Sequence, residues 1–245
     1  MDIKNKDYES EYKKVCRQEL DFLIDGAKRG PSRLEALAAA YIPSNLDEKL
    51  GDAFAKAFEV ILKKGTGIIG ASILGKEQES ADDAIFKSKI AGLFDTAATF
   101  AEGAGMGIIG LGLPDIPIFT AMVFRNIYQK AALYGFGYEE DIEKVYVLKL
   151  IATALSTGKT CERLNEELDK LGDEINRGKS FCVIEDEDIK EASDALAGDM
   201  LYVKFVQGIP IIGAVGGLFN FSTMRRINNF AEIKYHKRYL LKQKL

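Results

Sequence analysis

Apolar positions recur every three to four residues along most of the chain, and no stretch alternates in twos for long, so the pattern predicts helices rather than strands. A first helix is expected from about Lys6 to Lys28, with Cys16, Leu20, Leu23, Ile24 and Ala27 on one face and Gly30-Pro31 as its stop. Ser32 and Glu35 form a capping box for a short alanine-rich helix to Ile42, which Pro43 ends. Asn45 and Glu48 repeat the device, and the helix that follows carries Leu50, Ala53, Phe54, Ala57, Phe58 and Ile61 inward. Beyond a polar connection at 75–83, Ile85, Phe86, Ile90, Leu93, Phe94, Ala97, Ala98 and Ala101 make a wide apolar stripe.

Another helix is expected after Asp115, with Pro117 tolerated in its first turn and Phe119, Met122, Val123, Ile127, Ala131 and Tyr134 inward; Gly135-Phe-Gly137 ends it. Glu139 to Leu155 reads as a strongly apolar helix with an acidic start that suits the helix dipole. A hydrophilic helix follows, capped by Thr160, whose narrow seam of Cys161, Leu164, Leu168, Leu171 and Ile175 lies over a surface or pairs with a partner helix. The acidic run 185–188 heads a helix to about Val206, and the last helical stretch runs from Pro210 to near Lys242. Short connections throughout predict one all-α, compact multi-helix bundle with glycine-rich apolar hairpins, a single domain over 1–245.

Three segments share a glycine pattern: 65–70, 105–110 and 208–213. The first two fit G-x-G-x-x-G, but a dinucleotide loop needs a strand before it, and helical sequence precedes both copies. Close packing explains them better. Gly103 and Gly107, like Gly213 and Gly217, stand four apart, a spacing that lets another backbone approach, and Gly110 and Pro114 extend the same segment. A bilayer span needs roughly 20 apolar residues. Both 103–124 and 205–224 approach that length, but polar and proline interruptions make them resemble buried hairpins or shallowly inserting helices.

Charge sharpens this picture. The net charge is −4, yet Phe221 to Leu245 carries seven Lys/Arg against Glu232 alone, a net +6 that leaves −10 for the rest. Arg226, Lys234, Lys237, Arg238 and Lys242 are therefore candidates for contact with anionic lipid, in company with aromatic residues. Nucleic acid is not an expected partner of so acidic a remainder, whereas a membrane surface or membrane protein is, and homo-oligomerisation remains open. Three cysteines without C-x-x-C spacing suggest reduced thiols, and the polar start suggests no secretory signal, so a cytoplasmic protein at the inner face of the cell membrane is expected.

Catalytic chemistry is sparse. His236 is the lone histidine and sits among cations, so zinc and triad chemistry lack their parts. Ser156-Thr-Gly-Lys-Thr160 ends like a P-loop but lacks the earlier glycine and follows a helix. No cofactor, metal or catalytic residue is assigned, and the reading leans away from an enzyme. Glu102, inside an apolar segment, could join Arg125, Asn220 and Arg225 in a polar pocket; an enzyme or small-ligand binder built on that pocket is one alternative, and a helical scaffold using the 161–175 seam is another.

Several pieces in order carry a likeness: 103–114, then Arg125-Asn-Ile, 131–136 and Val147-Leu148, then 213–217, Asn220, and the tail from Ala231 through Tyr235 to Leu240. Over 80–240 the chain resembles the EcsC family of bacterial proteins, with His236 standing where the family's tail is expected to be aromatic. The resemblance implies a helical, membrane-associated accessory protein whose family is named for a gene beside an ABC transport system. It supplies no catalytic residues.

Overall fold

A helix that is apolar on every side has to be enclosed, and one element of this chain meets that description. The structure, a computed structural model, describes residues 3–28, 46–74, 79–96, 116–206 and 221–244. In chain order the helices are α1 (Ile3–Lys28), α2 (Leu46–Val60), α3 (Thr66–Leu74), α4 (Glu79–Thr96), α5 (Ile116–Leu133), α6 (Asp141–Leu155), α7 (Gly158–Asn176), α8 (Asp186–Val206) and α9 (Phe221–Lys242). The fold is all-α, and no strand occurs among the described residues. The apolar element is α6, where only Asp141, Lys144 and Lys149 escape burial. It is walled in by α7, α8 and α9.

A single cluster of buried side chains runs from Leu46 on α2 to Tyr235 on α9. The inward set expected for α2 is buried as expected, Leu50, Ala53, Phe54, Ala57 and Phe58 among them. Phe54 and Phe58 meet Phe119 and Phe124 of α5 edge-on, with ring centroids 6.4 and 5.3 Å apart. Between α2 and α3 the chain does not break. One π-helical turn, Ile61–Gly65, inserts a residue into the ladder and keeps Ile61, Leu62 and Gly65 on the buried side. The glycine segment 65–70 is thus helical and preceded by helix, which removes any dinucleotide loop there. At Gly70 an added Cβ would stand 2.9 Å from the Tyr138 hydroxyl, so this glycine does serve close approach.

Pro117 lies in the first turn of α5, and the helix closes at Gly135, whose φ of +74° few other residues adopt. The α6–α7 junction departs from expectation. Thr160 is not the cap; α7 begins at Gly158, φ +56°, with Thr157 extended before it. A two-residue connection must reverse the chain sharply, and glycine at that point permits it.

The apolar seam of α7 turns inward. Leu164 and Leu168 are fully buried against neighbouring helices, chiefly α6, so the seam is covered by the chain itself and offers no exposed docking strip. On α1 the buried face is also not the expected one: Val15, Glu19 and Gly26 face in, while Leu20 and Ile24 are 56% and 44% exposed. The short helix expected at 32–42, the stripe beyond Leu93 and the 103–114 and 208–217 glycine segments lie outside the residues whose side chains are described.

Candidate functional site

Helix α9 carries the tail's positive charge, and helical spacing decides where it goes. Arg226, Phe230, Lys234 and Lys237/Arg238 recur every three to four residues, one continuous stripe. That stripe points into the bundle: Arg226, Lys234 and Arg238 are 7, 1 and 4% exposed. Buried cations require partners, and each finds them on another helix.

Lys234 donates to Glu19 of α1 (2.6 Å) and to Asn165 (2.9 Å) and Asp169 (2.5 Å) of α7. Lys237 spans the same two carboxylates at 2.5 and 2.8 Å. Burial works to raise the Asp169 pKa, but Lys234 and Lys237 outweigh it and hold the carboxyl below the usual aspartate range. Burial likewise works to lower Lys237, and Glu19 and Asp169 override it, leaving its pKa raised. Asp169 and Lys237 therefore stay charged together over the whole neutral range.

At the next level Arg238 forms a two-pronged pair with Glu143 of α6, 3.0 and 2.9 Å, and its guanidinium lies 4.2 to 5.7 Å from the ring centres of Phe136, Tyr146 and Tyr235. Burial works to lower the Arg238 pKa, but the hydrogen bonds to Glu143, with the charge of Glu143 and the neighbouring tyrosines, together outweigh it and raise it. Gly172 of α7 makes room, since a Cβ there would meet Arg238 and Tyr146 at 3.2 Å. At the other end of the stripe Arg226 donates to the Ala154 carbonyl (2.5 Å) and to Asp25 of α1 (3.2 Å) and rests 4.4 Å from the centre of the Phe22 ring. Its guanidinium fits beside Gly26, where a Cβ would come within 3.0 Å.

The expected lipid-contact set is thus revised. Arg226, Lys234 and Arg238 are enclosed and Lys237 is largely so, because carboxylates on α1, α6 and α7 pair with them. Lys242 is exposed, together with Arg225 and Lys244. Of the proposed polar pocket, Glu102 and Asn220 lie outside the described residues. Arg125 is half-buried, stacked 4.8 Å over Phe86, and Arg225 faces outward on α9. His236 stacks on Tyr134 with centroids 5.4 Å apart and has Glu11 4.0 Å from its Nε2. Cys161 is buried, which raises its thiol pKa, and none of the three cysteines is bonded to another. No group of side chains suited to holding a metal ion occurs among the described residues.

Side-chain pairs also fix how α9 sits on α5. Asn126 reaches Met224 (3.2 Å), Lys130 pairs with Glu232 (2.7 Å) and Tyr134 stacks with His236, so residue numbers rise together and the helices run parallel. The hydroxyl of Thr223, in the first turn of α9, donates to Asp199 in the C-terminal half of α8. The chain therefore enters α5 and α9 at the same end of the bundle, and it leaves α8 there too. The apolar glycine segments 103–114 and 208–217 precede those two entrances directly. No described helix is long and apolar enough to cross a membrane.

Helical architecture and interior ion pairs define a class: an all-α bundle whose last helix is clamped from within by carboxylates of three others. The model described as the EcsC protein family matches residues 27–240, and the chain belongs to that family. Protein EcsC of Bacillus subtilis (strain 168) is 24% identical to it over 227 residues, covering 87% of each chain. No solved structure matches the chain.

Proposed function

We propose that the protein is a non-enzymatic accessory protein bound peripherally at a membrane, and that it meets the membrane with the end of the bundle where the chain enters α5 and α9. The observation that carries this reading is the parallel register of those two helices. It puts the entrances of both helices at one end of the bundle, where Arg225 is exposed, and in the sequence each entrance follows an uncharged, glycine-rich run. Shallow apolar insertion would do most of the binding, with a modest electrostatic part. The family resemblance makes a membrane-embedded transport protein the natural neighbour at that surface.

Sedimentation with phosphatidylcholine vesicles, alone and mixed equally with phosphatidylglycerol, tests the reading. Wild type is expected to pellet with both, and Ile109→Asp/Ile212→Asp is expected to stay in the supernatant because each places a charge in an apolar run. Lys242→Gln/Lys244→Gln at the far end of α9 is expected to pellet like wild type. A wild-type protein that pellets with neither vesicle overturns the reading.

A further inference from the structure

Helix α1 is built inside out. A surface helix ordinarily turns its leucines inward and its carboxylates to water. Here Glu19 is buried on Lys234 and Lys237, and Asp25 reaches Arg226, while Leu20 and Ile24 are left exposed. These charged pairs hold the helix on α7 and α9 together with the buried Val15 and the Phe22–Phe230 stack.

We propose that α1 is a releasable cover over an anion-binding groove between α7 and α9, and that the uncovered groove takes the phosphate headgroups of anionic lipid. The proposal rests on the membrane reading above for its ligand. Three observations support it. Along the groove lie Arg226, Lys234 and Lys237, the two lysines paired with Asp169, so once Glu19 and Asp25 depart these three cations keep one carboxylate among them and two positive charges are left over. The groove would keep its shape without α1, because Lys234 retains Asp169 and Asn165, Lys237 retains Asp169, and Arg226 retains the Ala154 carbonyl. Finally, the family match begins at residue 27, so α1 lies almost wholly ahead of the part shared with the family.

Uncovered, α9 would present cations at three- to four-residue spacing with Phe230 among them, the face of a helix that lies on an anionic interface. Phe22 of α1 now stacks on Phe230 at 4.5 Å and keeps that ring from water. The outward Leu20–Ile24 strip would give the departing helix an apolar surface of its own to bury.

The test uses the full chain. Amide hydrogen exchange of wild type, Glu19→Lys/Asp25→Lys and the milder Glu19→Gln/Asp25→Asn is followed in α1 and α6, beside sedimentation with the two vesicle compositions. Charge reversal is expected to speed α1 exchange roughly a hundredfold while α6 changes less than about twofold, as for a separately opening unit. The same variant is expected to gain at least roughly tenfold in affinity for the phosphatidylglycerol vesicles alone, and to lose that gain in about 0.5 M salt. If reversal prevents folding, the neutral pair is expected to move both readings in the same directions by smaller amounts. Loss of α1 and α6 protection together overturns the proposal, as does release of α1 without a gain on anionic vesicles. Adding Ile109→Asp/Ile212→Asp to the reversed protein separates the two ideas: the salt-sensitive gain persists if the groove binds, whatever becomes of the glycine-rich end.

Discussion

Helices α6 and α1 both pack on α9, and they are held by opposite means. Apolar side chains surround α6 on all sides, so its place follows from water exclusion and needs few specific partners. Helix α1 is polar and is placed by pairs: Glu19 with two lysines, Asp25 with an arginine, Glu11 near His236. The difference teaches where each helix is vulnerable. Damage to α6 should loosen everything, whereas damage to the pairs on α1 should free one helix.

The sharpest break in that comparison is expected at Arg238, where α6 itself uses a buried pair. Arg238→Met would leave Glu143 enclosed without its cation at a cost of about 3–5 kcal/mol, and adding Glu143→Leu should recover most of it. Urea unfolding of the single and double variants checks this; no recovery would mean the arginine acts through its three aromatic neighbours. Next comes Leu148→Ala in α6, expected to cost about 3 kcal/mol with one cooperative transition. A separate early transition would show that α6 is not the common support.

A milder effect comes with acid. Asp169 has a lowered pKa when folded, so its contribution is complete above the ordinary aspartate value of about 4 and fades as pH falls through the lower folded value. Lys237, raised when folded, contributes fully below its ordinary value of about 10.4 and loses it only as pH climbs beyond that. Protection of the α1 amides, as the ratio of intrinsic to observed exchange rate, should therefore be constant from about pH 5 to 9 and should be lost first as pH drops below about 4. Equal loss in α6 at the same pH would erase the distinction. The smallest effect is expected at exposed Gly198 on α8, where an added Cβ meets nothing within 4 Å. Gly198→Ala should stabilise by up to about 1 kcal/mol in a thermal melt, without altering α1 exchange.

Much of this architecture was legible in the sequence, and the comparison explains which part. Periodicity located α2, α5 and α6 because apolar burial leaves its mark every three to four residues. The same rule chose the wrong face of α1, since leucines announce a buried face and a buried carboxylate does not. The basic tail pointed to an outside anion for a similar reason: its carboxylate partners stand up to 218 positions away, and spacing cannot pair residues so distant. The one available hint was Glu19 lying among the apolar residues of its own helix. The π-helical turn at 61–65 left no signature beyond a glycine, and the start of α7 followed a backbone reversal rather than the threonine that resembles a cap.

The distance between Glu19 and Lys234, 215 positions, also governs the order of events during synthesis. Helix α1 leaves the ribosome well before its binding surface on α9. At about 5–20 residues per second, the interval is on the order of ten to forty seconds. Throughout it the nascent chain carries α1, with its Leu20–Ile24 edge, before its partners on α9 exist, so a chaperone or a membrane has access to α1 before that helix does.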